Sequence, residues 1–128
     1  MRLLLDTHVL LWLLNDDRLD PTAGRALADP GSALYVSVVS LWEVVVKQRV
    51  GKLKADIEVI VGHMAPASKL QWLSITSDHL VALNRLPRRE QHRDPFDHLI
   101  IAQAISEGMT LLTRDRNASL YSVQILSA

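Results

Sequence analysis

Five acidic residues of this chain are placed where they could bind a metal ion or take part in catalysis. Asp6 and Asp115 each follow a short apolar run, and Glu43 lies inside an apolar segment, where an unsatisfied charge would be costly. Asp94 and Asp97 stand at the start of a predicted helix. Carboxylate oxygens suit Mg²⁺ or Mn²⁺, and such ions can activate water and stabilise charge on a phosphodiester. The acids therefore predict a hydrolytic metal site, provided that the fold brings them together.

Each acid also has an ordinary structural explanation. Asp6 and Asp94 are good helix N-caps. The segment from Ser40 to Glu43 has the pattern of a capping box, and Asp115 is a common turn residue. Considered singly, none of the acids is a specific signal, so their placement in the fold decides their meaning.

The elements that must position these acids alternate between strands and helices. Strands are predicted at 2–5, 33–36, 71–75, 110–113 and 122–126, and helices at 7–15, 21–28, 37–50, 54–64, 77–86 and 96–107. Ser77 or Asp78 caps the fifth helix in this interpretation, and Pro66 closes the fourth. The alternation predicts an α/β fold, a three-layer α/β/α sandwich with a mostly parallel sheet of about five strands. In such a sheet the acids meet at the edge where α/β proteins bind ligands.

Composition limits the classes of protein that fit. The 128 residues predict one domain spanning 1–128, and the absence of cysteine excludes disulfide scaffolds, thiolate zinc sites and cysteine catalysis. A reducing cytoplasm is consistent with this, and the apolar run Val9–Leu14 is too short to span a bilayer. Lys+Arg and Asp+Glu are both 14, so nucleic-acid binding would depend on a local basic patch or on metal ions.

Such a patch is present around the acids. Basic residues crowd the loop before the 96–107 helix and flank Asp115, and the candidates for RNA phosphate contacts are Arg88, Arg89, Arg93, Arg114 and Arg116. The alternative is a solvated basic loop that balances the acids. The five histidines are scattered, and we assign none of them a role.

Two predicted helices are more apolar than one sheet contact requires. They carry Trp12 and Trp42 among runs of Leu and Val. The surplus predicts a second apolar contact, either a groove for a partner segment or a homodimer seam. The alternative is burial between neighbouring helices of the same chain.

Four blocks in this chain together resemble PIN-domain proteins, particularly VapC-type ribonuclease toxins of bacterial toxin–antitoxin pairs. The blocks span nearly the whole chain: Leu3–Trp12, Ser40–Glu43 with Lys47 and Gly51–Leu53, His92–Ala104, and Leu111–Asp115. The resemblance implies a metal-dependent endoribonuclease that uses a metal-activated water, with Mg²⁺ or alternatively Mn²⁺ as cofactor. It further implies RNA as substrate, a cognate antitoxin as partner and a homodimer.

The resemblance also assigns residues. Family acids carry over to Asp6, Glu43, Asp97 and Asp115, as catalytic and metal-binding residues. Asp94 is an additional acid, acting as a helix cap or as a further ligand. The family places a hydroxyl near the metal, for which Thr7, Ser40 and Thr113 are candidates.

Other functions stay open at this point. A PIN-like nuclease in RNA maturation is disfavoured by the short chain, and a non-cleaving module that binds RNA or protein is disfavoured by the intact acid set. A phosphoacceptor receiver domain would need an adjacent acidic pair near the first strand and a late lysine, but Asp6 stands alone and no lysine follows Lys69.

Overall fold

A five-stranded parallel sheet forms the centre of the molecule. The computed structural model describes residues 1–15, 18–64 and 69–128. The sheet has the order β3-β2-β1-β4-β5, and every neighbouring pair runs parallel. The strands are β1 Arg2–Leu5, β2 Ala33–Ser37, β3 Leu70–Leu73, β4 Thr110–Thr113 and β5 Ile125–Ser127. The predicted fold class is confirmed.

Helices cover both faces of the sheet. They are α1 Thr7–Leu14, α2 Pro21–Ala28, α3 Val38–Arg49, α4 Ile57–Gly62, α5 Ser77–Arg85 and α6 Pro95–Glu107, and residues Arg116–Leu120 form a 3₁₀ turn. Successive side chains of β1 point to opposite faces, so Leu3 and Leu5 join one core cluster and Leu4 joins the other. Among the described residues, no helix combines the length and apolar character needed to cross a membrane.

The capping box predicted at Ser40 and Glu43 is wrong. The N-cap of α3 is Ser37, whose hydroxyl oxygen accepts from the backbone N–H of Val39 at 3.0 Å. Ser40 and Glu43 consequently lie inside the helix and are buried. The same Ser37 hydroxyl donates to Oε1 of the buried Gln103 on α6. This hydrogen bond links the start of α3 to α6.

One further helix start and one further cap differ from the prediction. The helix predicted from Lys54 begins as α4 at Ile57, because Asp56 caps it through a bond from Val59 N–H. α5 begins at Ser77 as predicted, but Thr76 caps it, rather than either of the two residues after it, in a capping box that uses His79. In both helices the capping side chain is one that the sequence prediction did not name.

The last strand is shorter than predicted. It begins at Ile125 rather than Ser122, because the chain first forms the 3₁₀ turn and then reaches the sheet through a bend. Pro66, which was predicted to end the fourth helix, lies outside the described residues.

Replacing Ser37 with Ala tests the link between α3 and α6. The change removes the cap and leaves Oε1 of Gln103 without this donor. We expect the free energy of unfolding to fall by about 2 kcal/mol, combining a lost cap with a buried group left unpaired. Urea unfolding measures it. Ser77→Ala, at the exposed start of α5, is the control and should cost less than about 0.5 kcal/mol. Equal losses in the two variants would contradict this account.

Candidate active site

The ends of the two central strands are joined through Asp6. Its Oδ1 accepts from the backbone N–H of Val9 at 2.8 Å, so Asp6 caps α1 as predicted. Its Oδ2 accepts from the hydroxyl of Thr113 at the end of β4. The Thr113 oxygen in turn accepts from the backbone N–H of Asp115 at 3.0 Å. One hydroxyl therefore fixes both Asp6 and the turn that carries Asp115.

The start of α6 brings two more acids to this edge. Asp94 caps the helix, with Oδ1 accepting from the backbone N–H of Phe96 at 2.9 Å, which confirms its predicted capping role. Asp97 follows in the first helical turn, where the helix dipole favours a negative charge. Its Oδ2 accepts from Nε2 of His92 at 3.2 Å.

Glu43 reaches the edge from inside α3 and is almost completely buried. Its Oε1 accepts from the Thr7 hydroxyl at 2.6 Å, and its Oε2 lies 2.6 Å from Nζ of Lys47. The Ser40 hydroxyl lies 3.0 Å from that of Thr7. Two of the three hydroxyls predicted near the acids thus each contact one: Thr113 bonds to Asp6 and Thr7 bonds to Glu43, whereas Ser40 contacts Thr7.

Sequence reasoning missed two residues of this cluster. Lys47 is four residues after Glu43 on one helix, a spacing that favours an ion pair and could have indicated the contact. His92 is 5% exposed, and its Nε2 lies 3.2 Å from Oδ2 of Asp97 and 3.8 Å from Oδ2 of Asp115. Its only local signal is a place in the loop that leads into α6.

Burial and crowding disfavour negative charge at this edge. Burial, together with the nearby charges of Asp94 and Glu43, raises the pKa of Asp97 to about 6, although the hydrogen bond from His92 acts in the opposite direction. Burial also raises the pKa of Asp6, although its bonds from Thr113 and Val9 act in the opposite direction. A cation would relieve both costs.

The donor set fits a divalent ion. Among the described residues, two groups of ligand atoms each lie within 4.8 Å of one another, and Asp97 belongs to both. One group is Glu43, Asp94 and Asp97, and the other is His92, Asp97 and Asp115. A cavity of about 20 Å³ is lined by the polar residues Asp6, Asp97, Thr113 and Asp115. Its other lining residues are apolar: Ile100, Ile101, Leu111 and Ala118. That volume is enough for one water or one ion.

Comparison with known proteins gives this arrangement a family. Residues 3–124 match the PIN domain. The chain belongs to the PIN-domain family. PIN domains are nucleases, which hydrolyse phosphodiester bonds. The carboxylates gathered at this edge of the sheet are of the kind that such a reaction needs. No curated protein sequence matches the chain.

Solved structures share the fold of this PIN domain at low sequence identity. VapBC2 from Rickettsia felis, bound to a promoter DNA fragment, is 16% identical with a TM-score of 0.75, covering 99% of this chain and 98% of that chain. VapBC-5 from Mycobacterium tuberculosis, of a toxin–antitoxin family, is 21% identical with a TM-score of 0.65 and the same coverages. The PIN-domain endonuclease Utp24 is 16% identical with a TM-score of 0.54, covering 99% and 84%.

The predicted RNA-contacting arginines fall into two groups in this PIN domain. A groove of about 390 Å³ is lined by Arg88, Arg89 and Arg93, and also by His92, whose ring contacts Asp97. Arg116 is exposed on the 3₁₀ turn. Arg114 has partners within the chain instead. It donates to the carbonyl oxygens of Ala128 at 2.7 Å and of Arg18 at 2.6 Å. The structure therefore gives Arg114 a role in holding the C-terminus.

The two tryptophans also differ in their surroundings. Trp12 is half-buried against a core cluster, and the guanidinium of Arg114 lies 4.2 Å from its ring centroid. Trp42 is 55% exposed and touches Phe96 edge-to-face at 4.8 Å. The surplus apolar surface predicted for the first helix is thus covered within the chain at Trp12, whereas α3 presents Trp42 outward.

Asp97→Asn tests the electrostatic cost of the site. Without metal, folded Asp97 keeps its proton up to about pH 6, whereas the unfolded residue loses it near 3.8. The folded state binds more protons between these values, so stability falls as pH rises through that window. We expect the variant in EDTA to melt about 3–5 °C above wild type at about pH 7.5, and to lose this gain at about pH 4.

The matched control for this measurement is Asp20→Asn. Asp20 caps α2 from an exposed position, and Asn caps equally well, so its Tm should change little at either pH. An Asp97→Asn protein that melts below wild type at the higher pH would contradict the account.

Proposed function

We propose that this PIN domain is a metal-dependent endoribonuclease that acts as the toxin of a toxin–antitoxin pair. The observation that carries the proposal is the meeting of acids from four separate segments at one place. Asp6, Asp97 and Asp115 line one small cavity, and a carboxylate oxygen of Glu43 lies within 4.8 Å of one of Asp97. No common structural need explains why four segments should bring carboxylates to one place, because like charges at short range repel.

Different residues of the chain would bind the ion, contact the substrate and hold these side chains in place. Asp6, Asp97 and Asp115 would hold Mg²⁺ or Mn²⁺, and Thr113 keeps the first of them in place. When bound, such an ion supplies a more acidic water and offsets charge on the phosphodiester. Glu43, held by Thr7 and Lys47, lies close enough to Asp94 and Asp97 to complete the set of acids.

Substrate contacts fit the basic groove. The side chains of Arg88, Arg89 and Arg93 line it, and Arg116 lies beyond Asp115. RNA phosphates held there would lie beside the acids, and the contacts would carry little sequence information. This local patch accounts for RNA binding by a chain whose formal charge is zero.

The toxin assignment is supported by the structural neighbours. The VapBC structures share this fold over nearly the whole chain, and they are toxin–antitoxin proteins. An exposed Trp42 beside Phe96 gives α3 an apolar surface suited to an antitoxin segment or to a second copy of the chain. The proposed setting is the cytoplasm, where RNA and an antitoxin would both be available.

A second candidate function is a PIN nuclease that matures RNA. The PIN-domain endonuclease Utp24 shares the fold over 99% of this chain, so the fold also occurs in an endonuclease that is not described as part of a toxin–antitoxin pair. The two candidates differ in the cell: the toxin should arrest growth when expressed alone and be silenced by a partner, whereas a maturation enzyme should do neither. A module that binds RNA without cutting it would bind in the groove and leave the RNA intact.

Cleavage of a mixed cellular RNA pool tests the activity. We expect discrete cuts with Mg²⁺ or Mn²⁺ and none in EDTA, and a loss of at least about 100-fold in Asp6→Asn and in Asp97→Asn, since even outer-shell changes cost about 10–100-fold. Asp94→Asn should be milder, because Asn still caps α6. Growth after expression gives a second measurement.

Asp20→Asn is the control, because it changes a capping aspartate outside the acid cluster. It should keep full activity. Full activity in both Asp6→Asn and Asp97→Asn would overturn the site assignment. Intact RNA in every metal condition, with RNA retained by the protein, would favour the binding module.

Truncation of each tryptophan separates stability from assembly. Trp12→Ala should lower the free energy of unfolding by about 3 kcal/mol, because it empties a packed site and removes the contact with Arg114. Trp42→Ala should cost less than about 1 kcal/mol, yet weaken self-association measured by sedimentation. Unchanged association in Trp42→Ala, together with unchanged binding of an antitoxin, would reject this surface as an interface.

A further inference from the structure

His92 is fixed from behind by contacts that do not involve the acids. Its Nδ1 lies 3.0 Å from the hydroxyl of Tyr121, and its backbone oxygen accepts from Nε2 of His98 at 2.7 Å. The rings of those two residues pack against its own, with centroids 5.6 and 4.8 Å away. A buried imidazole held in this way has a fixed orientation, and only Nε2 is directed to the carboxylates.

That nitrogen faces two acids from different elements. It lies 3.2 Å from Asp97, on α6, and 3.8 Å from Asp115, which follows β4. The three ligand atoms lie within 4.8 Å of one another, a compact set of two hard oxygens and one imidazole nitrogen. Histidines that ligate metals place their second ring nitrogen on a hydrogen-bonding partner, and Tyr121 occupies that position here.

The other possible set of ligands carries a competing charge. Oε2 of Glu43 is paired at 2.6 Å with the ammonium of Lys47, and that lysine also interacts with Asp94 and Asp97. A cation placed among Glu43, Asp94 and Asp97 would be repelled by the ammonium of Lys47, whereas the other set offers it an imidazole nitrogen, Nε2 of His92. The balance of charge therefore favours the side of Asp97 that faces His92.

We infer that Nε2 of His92 is a direct ligand of the divalent ion, together with Asp97 and Asp115. The inference rests on the metal-dependent function proposed above and refines its choice of metal. Imidazole is a poor ligand for Mg²⁺ and a good one for transition ions, so a site with this nitrogen prefers Mn²⁺ to Mg²⁺. In this arrangement Nε2 of His92 and Oδ2 of Asp97 would both face the ion, and the ring proton of His92 would be held on Nδ1, beside the Tyr121 hydroxyl.

Pulsed EPR of Mn²⁺ bound to the full chain tests the contact without any RNA. We expect electron spin echo modulation from a directly bonded ¹⁴N in wild type, and its loss in His92→Gln. His98→Gln is the matched control, because His98 is a neighbouring imidazole and Gln can still donate to the His92 carbonyl; its modulation should persist. Calorimetry should show Mn²⁺ affinity falling about tenfold in His92→Gln and Mg²⁺ affinity changing less than about threefold.

Each other outcome counts against the inference. Bound Mn²⁺ without ¹⁴N modulation in wild type would leave His92 as a hydrogen-bond donor to Asp97 only, whatever happens to the folding of the variant. Modulation that survives His92→Gln, or equal losses for the two ions, would also overturn it, and so would an absence of Mn²⁺ binding. Mn²⁺ bound through His92 by a chain that cuts no RNA would instead overturn the proposed function alone.

Discussion

Repulsion between carboxylates is the constraint on which the arrangement of this edge depends. Parallel strands and the start of α6 bring acids together, and burial makes their charges more costly still. In the folded chain, four of these carboxylates each have a hydrogen-bond or ion-pair donor at close range. Asp6 and Asp94 use backbone N–H groups at helix starts, Glu43 uses a hydroxyl and an ammonium, and Asp97 uses an imidazole. Much of the polar structure around the site is explained by this need.

The sheet sets where that repulsion occurs. β1 lies between β2 and β4, with Leu5 opposite Val36 on one side and Leu112 on the other. The next residue, Asp6, donates its backbone N–H to the carbonyl of Leu112 and so stays in register beside Thr113. A slip of one residue would turn the buried leucines to the wrong face. Packing of the apolar strands thus positions the carboxylates, although they contribute nothing to the core themselves.

Local patterns were sufficient for much of the fold and for the acids. The apolar run before Asp6 and the Asp-Pro start of α6 carry their signals within a few residues, and the structure agrees with both. The capping box at Ser40 failed because Ser37, three residues earlier, meets the first free N–H groups. The helix predicted over 37–50 nevertheless begins close to where α3 begins, so the error concerned the capping box and not the position of the helix.

Residues whose roles come from distant partners could not be predicted in this way. His92 lies in a polar loop without periodicity, and it is buried because Tyr121, 29 residues later, packs against it. Arg114 looked like a phosphate contact by its place beside Asp115, yet Trp12 and the C-terminal carbonyl engage its guanidinium. These contacts join residues that are too far apart in the sequence for local patterns to relate them.

The energetic cost of a negative charge on Asp97 in the folded protein and the capacity of this site to bind an ion have the same origin. A carboxylate whose pKa is raised to about 6 is a more basic ligand than an ordinary one, and near neutral pH it is still mostly free of a proton. The energy that destabilises its charge in the absence of metal is recovered when a cation arrives, so folding and ion binding are linked. Asp97 belongs to both sets of ligands found among the described residues; Lys47 pairs with Glu43 of one set, and His92 is a member of the other. The difference between an ammonium beside one set and an imidazole nitrogen within the other then determines which set holds the ion.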